Sequence, residues 1–316
     1  MNLPRLTVVV PNYNHAAFLP TCLDAVLNQS AQPFEVIVID DASTDNSLAV
    51  IEEFAARHPN IRVFRNDQNR GVVFTMNRGL ELARSEYVFF TAADDEVAPG
   101  LFEKSLRLLA ENPAAALACT ISEWREGRLK WHMAAGMARQ PCFLSPADLI
   151  GLGRAGKLAI VSHSAIMRKE ALVGAGGFIP ELRWHSDWFA TYITGFRHGL
   201  CFVPQVLSQV NIQPKSYYKS GRRKDEHQQV LRRILELLNS EACADVRPRI
   251  RDSAALSLFA MPMLRLLLGR PEFRPYATRA LVLKTLRRSG ELLAKRVLPA
   301  WFAQIGLKLF YRARPR

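Results

Sequence analysis

The first 120 residues alternate short apolar runs with amphipathic stretches, and this alternation constrains the fold more than any other feature. Five apolar runs rich in β-branched residues predict strands over 6–10, 35–39, 61–64, 87–91 and 115–120. The stretches between them predict helices over 17–27, from the capping residues 40–45 to about 57, over 71–83 and over 101–110. Continuous apolar strands that alternate with helices are typical of a mostly parallel sheet covered by helices on both faces. The sequence therefore predicts an α/β fold.

Polar residues collect where these predicted strands end. They are Asn12, Tyr13 and Asn14 after the first, Asp40 and Asp41 after the second, and Asp94 and Asp95 after the fourth. Ligands bind at this edge in open α/β sheets. Carboxylates at a strand end suit a hard divalent cation held together with substrate phosphates, but they also cap helices. The residues alone leave both roles open.

The rest of the chain gives a less regular pattern. We expect a strand over 160–167, a short helix over 169–173 and a helix over 186–197. A polar, basic linker follows at 215–224. Beyond it the periodicity predicts helices over 225–240, 248–268, 276–294 and 297–311.

Positive charge is concentrated in the last third. The net charge is +13, from 42 Lys and Arg against 29 Asp and Glu. Residues 1–211 hold 19 basic and 21 acidic side chains, whereas the remainder holds 23 and 8. The basic excess therefore belongs to a different part of the chain from the acidic strand ends.

Several classes of protein are not supported by the sequence. No run of 18 apolar residues predicts a spanning helix, and the N-terminal apolar run is too short for a signal peptide. The 5 cysteines are widely spaced without a CxxC pair, so we expect reduced thiols and a cytoplasmic protein. Residues 151–156 spell GxGxxG but lack the preceding strand of a dinucleotide site, and we expect a loop there.

A set of motifs occurs in a fixed order along the first two thirds. It comprises Val8–Asn14, Val38–Asp45, Asn69–Gly71 with Asn77–Gly79, Phe89–Asp95, Gly176–Phe178, and Asp187 within Trp184–Trp188. In order and spacing this set resembles the inverting family 2 glycosyltransferases. The resemblance covers about residues 5–210. It implies a GT-A fold, a Rossmann-like, mostly parallel sheet flanked by helices, followed here by a helical, basic C-terminal extension.

The resemblance also implies a domain organisation. Residues 1–211 would be the catalytic domain, with a nucleotide-binding half at about 1–120 and an acceptor half at about 121–211. A basic linker at 212–224 would lead into the helical region 225–316.

Site residues follow from the resemblance position by position. Pro11 and Tyr13 would border the nucleotide base, and Asp41 with Asp40 beside it would bind uracil or another base. Asp94 would contact the ribose, Asp95 would hold Mn²⁺ or Mg²⁺ on the diphosphate, and Asp187 would be the general base. Trp184 and His185, next to the predicted base, are further candidates to contact the acceptor. His163 is a candidate to line the site, with a core histidine as the alternative. In the linker, Lys219, Arg222 and Arg223 are candidates to contact the diphosphate.

The chemistry implied is the inverting transfer of a sugar from a nucleotide sugar, a UDP-sugar by preference, to an acceptor hydroxyl. Asp187 would take the acceptor proton, although the residues alone also allow it to cap the helix that follows. The family usually begins its acidic motif with Asp, whereas this chain has Ala92. A catalytically degenerate nucleotide-sugar binder is therefore an alternative to an enzyme.

The basic C-terminal third predicts a partner of its own. Residues 284–316 interleave Lys and Arg with apolar residues at spacings of three and four, as in helices that lie in a membrane interface. Packing of this apolar stripe on the catalytic domain is the alternative. We expect a peripheral protein on the inner face of the cell membrane, acting on a glycan or lipid-linked acceptor in envelope or polysaccharide synthesis. The charge alone also allows a basic nucleic-acid-binding protein as an alternative function. We expect no nucleic-acid partner, because no RNA- or DNA-binding motif accompanies the charge and the acidic strand ends would be unexplained.

Overall fold

The computed structural model describes residues 3–212 and 224–297 of the 316-residue chain. The chain divides into two compact units. The first comprises residues up to 149 together with 159–234, and the second comprises 150–158 together with residues from 235 onward.

The first unit opens with the predicted alternation of strands and helices. Strands β1–β4 are Leu6–Asn12, Glu35–Asp40, Ile61–Arg65 and Tyr87–Phe90, and helices α1–α4 are Leu19–Leu27, Ser47–Arg57, Val72–Leu82 and Leu101–Glu111. β1 pairs in parallel with β2 and β4, and β2 pairs in parallel with β3. Helices cover such a sheet on both faces, which explains why β2 and β4 are buried along their whole length and read as continuous apolar runs.

The sheet continues with shorter and longer strands to a total of ten among the described residues. β5–β10 are Glu96–Val97, Leu117–Glu126, Leu129–Met133, Cys142–Leu144, Ile166–Arg168 and Leu200–Asn211. The order is β3-β2-β1-β4-β9-β6-β10-β5, with β7 beside β6 and β8 beside β10. β6 and β10 are parallel, whereas β9 is antiparallel to both β4 and β6. The predicted α/β class with a mostly parallel central sheet flanked by helices is confirmed.

Helices α5–α7 are Pro146–Arg154, Lys169–Gly174 and Ser186–His198. The strand predicted over 160–167 is wrong in its first half, because Ser162–Ser164 forms a 3₁₀ turn and only the residues of β9 pair. The buried Ser164 hydroxyl accepts the Thr120 N–H at 3.2 Å and donates to the Thr120 carbonyl at 3.1 Å. A side chain thus satisfies backbone groups of β6 that a neighbouring strand would otherwise pair.

The core of the first unit lies where helices pack on the parallel strands. Phe89 of β4 meets Phe102 of α4 with ring centroids 5.4 Å apart. On α3, a Cβ at Gly79 would overlap the Val9 side chain of β1. The glycine therefore permits the close approach of helix and sheet.

The second unit is helical. α8 (Lys224–Asn239) leads into it, and α9–α11 are Arg247–Ser253, Ala260–Gly269 and Arg279–Val297. The helix predicted over 248–268 is broken, because Ala254 and Ala260 have positive φ angles of 55° and 53°. The helix predicted over 297–311 lies outside the described residues.

The loop predicted at the GxGxxG sequence is wrong over its first part. Gly151 and Gly153 lie in α5, and Gly156 follows with a φ of +70°. A Cβ at Gly153 would lie 2.6 Å from the Cβ and the carbonyl oxygen of Ser253. This glycine serves close packing within the second unit.

Over the described ranges, no single helix has the length and apolar composition to cross a bilayer. One bent pair of helical segments, 247–253 with 255–269, meets both criteria together, with an angle of 58° between them.

Candidate functional site

The carboxyl ends of β2, β1 and β4 lie side by side, as the parallel pairing requires. Asn12 at the end of β1 is in register with Asp40 at the end of β2. Pro11 is half-buried, and Tyr13 is exposed directly after the strand. Polar residues that are separated in sequence therefore meet at one edge of the sheet.

Asp40 is completely buried at this edge. Its Oδ1 accepts a hydrogen bond from Asn12 Nδ2 at 3.0 Å, and its Oδ2 accepts the Ser43 N–H at 3.1 Å. Arg65 Nε lies 3.6 Å from Oδ2. The carboxylate holds β1 to the turn after β2, and both of its oxygens face other residues of the chain.

Asp41 is also buried, with 3% of its surface exposed. Its Oδ1 accepts hydrogen bonds from Asn66 Nδ2 at 2.6 Å and from the Arg70 N–H at 2.9 Å. Its Oδ2 accepts the Gly71 N–H at 2.8 Å. Gly71 has a φ of +85°, which glycine adopts without strain. Asp41 therefore holds the loop that leads into α3.

The acidic pair after β4 divides into two environments. Asp95 is 4% exposed, and its Oδ2 lies 2.9 Å from His163 Nδ1 while its Oδ1 accepts the Asn211 N–H at 3.0 Å. Asp94 is half-buried, and its carboxylate has no hydrogen-bond partner in another described residue. Asp94 thus keeps acceptor capacity that Asp95 has largely used within the chain.

Asp187 lies in the first turn of α7 and is half-buried. Its Oδ2 accepts a hydrogen bond from Ser162 Oγ at 2.5 Å, and its Oδ1 accepts the Trp188 N–H at 2.7 Å. Ser162 and His163 are consecutive in the 3₁₀ turn. This turn therefore connects Asp187 directly to the pair formed by His163 and Asp95.

The cluster perturbs the protonation of its members. Burial lowers the pKa of His163, but the charge and hydrogen bond of Asp95 outweigh it and raise that pKa to about 9. Burial, and then the charge of Asp95, raise the pKa of the Asp94 carboxyl. Burial lowers the pKa of His185 to about 4, so that its ring is neutral at pH 7. Near neutral pH the centre thus holds a cationic His163 ring beside Asp95.

Aromatic rings line the segment before Asp187. Trp184 and His185 are both half-buried, and His227 of α8 lies 5.6 Å from His185 between ring centroids. Arg183 Nη1 pairs with Glu226 Oε2 of α8 at 2.7 Å. The predicted contacts Trp184 and His185 therefore lie next to Asp187 in a segment held by α8.

Three residues predicted to contact the diphosphate, Lys219, Arg222 and Arg223, lie outside the described residues.

The described residues do not provide a complete set of ligands for a cation. Among residues 3–212 and 224–297, no group of three or more His, Cys, Asp or Glu side chains is arranged to hold a metal ion. Mg²⁺ and similar ions are commonly bound by one or two carboxylates together with substrate phosphates. The free acceptor capacity of Asp94 fits such a shared site, whereas each oxygen of Asp95 already contacts another residue and the side chain is 4% exposed.

Sequence reasoning missed Ser162 and Trp124 as neighbours of the site. Trp124 of β6 lies edge-on to His163, with ring centroids 6.2 Å apart and planes at 90°. Because a strand was expected over 160–167, the turn from which Ser162 donates a hydrogen bond to Asp187 was not predicted. Trp124 carries no motif, and only the pairing of β6 with its neighbours brings it here.

Known sequences match this same region of the chain. Residues 7–173 match the model of the family described as Glycosyl transferase family 2. The uncharacterized glycosyltransferase YibD of Escherichia coli strain K12 is 33% identical over 194 residues, which cover 58% of this chain and 56% of that protein. A PGL/p-HBAD biosynthesis glycosyltransferase of Mycobacterium bovis BCG is 35% identical over 97 residues, covering 31% and 38%. The chain thus spans about half the length, or less, of these curated relatives.

Solved structures share the fold. TarS 1–349 of S. aureus in complex with UDP-GlcNAc superposes with a TM-score of 0.66 at 18% identity, covering 88% of this chain and 79% of that one. The mannosyltransferase PcManGT of Pyrobaculum calidifontis in complex with GDP-Man and Mn²⁺ gives 0.58 at 21% identity, covering 99% and 83%. The family match extends over more than half of the chain, and the strand ends that it includes carry the acidic residues described above. The chain therefore belongs to glycosyl transferase family 2.

Proposed function

We propose that this protein transfers a sugar from a nucleoside-diphosphate sugar to an acceptor hydroxyl, with inversion at the anomeric carbon. One observation carries the proposal. The consecutive residues Ser162 and His163 bind Asp187 and Asp95 at 2.5 Å and 2.9 Å, which brings a candidate base and the acidic pair into one cluster. Nucleotide sugars bound to TarS and PcManGT, which have the same fold, support the donor class.

Asp187 acts as the general base in this proposal. As the acceptor oxygen bonds to the anomeric carbon, its proton passes to the carboxylate, and the bond to the diphosphate breaks with the electron pair leaving on the diphosphate. The Ser162 hydroxyl and the Trp188 N–H hold the two carboxylate oxygens. A positioned base of this kind accelerates transfer by roughly 10²–10⁴-fold.

The donor would lie along the edge formed by the ends of β1 and β4. A divalent cation, when bound, would neutralise charge on the diphosphate, and Asp94 is the carboxylate with free acceptor capacity for it. His163 keeps its Nε2 without a hydrogen-bond partner among the described residues, so its cationic ring can donate to a diphosphate oxygen. Pro11 and the exposed Tyr13 are available to border the base.

The test uses the full chain with UDP-glucose, UDP-GlcNAc and GDP-mannose, each with Mn²⁺ or Mg²⁺. We expect at least one donor to raise the melting temperature and to be cleaved, with release of the nucleoside diphosphate. Asp187→Asn keeps an oxygen and a donor for its two neighbours, and we expect it to retain the melting shift while losing at least 100-fold in rate. Absence of any cleavage, or equal rates in the two proteins, contradicts the proposal.

Inversion is tested on the product. We expect NMR of the anomeric proton in the first product formed to give the configuration opposite to that of the donor. Retained configuration would exclude the single displacement.

We also propose that the basic C-terminal region docks on an anionic membrane, where a glycan or lipid-linked acceptor of envelope synthesis would be presented. On α11, Leu283 and Leu286 are 57% and 53% exposed, close to exposed Arg287 and Arg288. Apolar side chains beside cations suit an interface of anionic lipid. The residues from 298 onward, which carry further Arg and Lys, lie outside the described part of the chain.

Flotation with liposomes of phosphatidylglycerol and phosphatidylcholine tests this docking. We expect the full chain to float at low salt and Leu283→Glu with Leu286→Glu to reduce the floating fraction several-fold. Val173→Glu is the matched control, because Val173 of α6 is 55% exposed in the first unit. A wild-type protein that stays unbound, or an equal loss in the control, contradicts the proposal.

A further inference from the structure

The hairpin of β6 and β7 presents two chemically different faces. Its two-residue turn has Gly127 at a φ of +58°, as hairpin turns of this length require. Cross-strand register pairs Glu123 with His132 and Arg125 with Lys130, so charged side chains share one face. On the opposite face, Trp124 stands across from Trp131.

On the charged face, Glu123 is paired with other residues of the hairpin. Glu123 Oε1 accepts a hydrogen bond from Arg125 Nε at 2.6 Å, and His132 Nε2 lies 3.5 Å from Glu123 Oε2. His132 and Lys130 are exposed.

The aromatic face is open at its outer end. The rings of Trp124 and Trp131 have centroids 6.2 Å apart and are tilted by 42°. Trp131 is half-exposed, and its indole N–H has no hydrogen-bond partner among the described residues. β7 pairs with β6 alone, so the Trp131 ring lies on the outer strand. A large, half-exposed aromatic ring with a free donor is suited to a ligand that has both apolar and hydroxyl surface.

The inner end of this face leads to the site. The Trp124 ring lies against His163, and the preceding residue, Ser162, binds Asp187. In addition, Trp124 is in register with Val210 of β10, one residue before the Asn211 N–H that binds Asp95. The aromatic face is therefore continuous with the cluster that contains the proposed base.

We propose that Trp124 and Trp131 form an acceptor subsite that stacks on a pyranose ring, an inference that rests on the proposed transferase function. The C–H face of a sugar covers an indole, and the hydroxyl groups at its rim accept the indole N–H. Trp131 lies beyond Trp124 as seen from His163. The ring on Trp131 is thus a neighbour of the ring whose hydroxyl reacts at Asp187, and the acceptor is a chain of at least two linked sugars.

Saturation-transfer NMR on the full chain tests the subsite with cellobiose, maltose, lactose and chitobiose, and with methyl glucoside as the single-ring comparison. We expect at least one disaccharide to bind fivefold or more tightly than methyl glucoside. Trp131→Ala should abolish this preference and Trp131→Tyr, which keeps a ring, should retain most of it. Lys130→Ala, on the opposite face of the same strand, is the matched control and should leave binding unchanged.

Thermal melting distinguishes loss of the indole ring from loss of the fold. Saccharide binding by Trp131→Tyr is compared with the wild type only if the two proteins have similar melting temperatures. Preference for a disaccharide that survives Trp131→Ala, or the absence of any saccharide preference in the wild type, overturns the subsite. Donor cleavage in the same samples reports on the transferase separately. Cleavage without saccharide preference overturns the subsite alone, whereas a Trp131-dependent preference without cleavage overturns the transferase.

Discussion

Replacing Asp41 by Asn tests whether this carboxylate holds the loop before α3 or contacts the nucleotide base directly. Asp41 accepts three N–H donors at 2.6, 2.9 and 2.8 Å from residues that follow β3 and begin α3. A carboxylate offers an acceptor on both sides, whereas an amide offers an acceptor on one side only. In either orientation Asn sets its NH₂ group against at least one of these N–H donors.

The size of the effect follows from the hydrogen bonds that Asn cannot make. A hydrogen bond to a charged group contributes about 1.5–3 kcal/mol, and an orphaned buried donor adds its own penalty. Because Asp41 is 3% exposed, solvent does not replace the missing acceptor. With one of the three hydrogen bonds broken and the others weakened by removal of the charge, we expect the free energy of unfolding to fall by about 2–4 kcal/mol.

Urea unfolding at pH 7, followed by tryptophan fluorescence, measures this change at constant m value. Asp67→Asn is the matched control, because Asp67 is exposed in the same loop, and we expect it to change stability by less than about 0.5 kcal/mol. A change for Asp41→Asn no larger than the control refutes the loop-holding role. If UDP affinity then fell in a protein of unchanged stability, the direct contact with the base implied by the family resemblance would be the better account.

Two further predictions concern packing and charge away from the cluster. Burial raises the pKa of Glu35, but hydrogen bonds from the Arg84 N–H and from Arg62 outweigh it and hold that pKa below the ordinary value. The stabilisation is therefore present above the unfolded pKa and lost as the pH falls through the folded pKa. In urea unfolding at pH 7, Glu35→Gln should lower the free energy of unfolding by about 2–4 kcal/mol, and the difference from the wild type should be smaller near pH 3. A difference that does not change with pH would contradict this. Gly79→Ala should lower the free energy of unfolding by about 1–3 kcal/mol, because the new Cβ would overlap Val9 of β1. Gly290→Ala is the control and should not lower it, because no atom lies within 4 Å of a Cβ placed there. Equal melting temperatures of the two variants would refute the close approach of α3 to β1.

The first four strands and helices were predictable because β1, β2 and β4 are buried along nearly their whole length and each helix is buried on one face. Burial of that kind leaves continuous apolar runs and regular spacings in the sequence itself. The meeting of the acidic strand ends was predictable for a different reason, because parallel strands bring their carboxyl ends to the same edge of a sheet. Local sequence therefore sufficed where burial is uniform along each strand and regular along each helix.

The second half of the sheet could not be predicted in this way. β10 contains Pro204 and two register shifts, around Val206, which is 42% exposed, so neither alternation nor a continuous apolar run marks it. The contact between His163 and Asp95 depends on a polar turn in which Ser164 binds the backbone of β6 in place of strand pairing. Interactions between residues 44 or more positions apart decide these features, and single-sequence patterns do not report them.

The carboxylates of the site also differ in a property that sequence cannot express, namely how much hydrogen-bonding capacity the fold has already used. Asp40 and Asp41 accept two and three N–H donors and are buried, so a ligand would have to displace the protein's own contacts. Asp94 has no such partner in another described residue and is half-buried. Asp187 accepts one hydrogen bond at each oxygen, but like Asp94 it is half-buried, whereas Asp40 and Asp41 are buried. A group that takes up a proton or a cation must be accessible to the ligand, whereas a group that positions a loop need not be. We therefore expect the chemistry to depend on Asp94 and Asp187, and the shape of the edge that presents them to depend on Asp40 and Asp41.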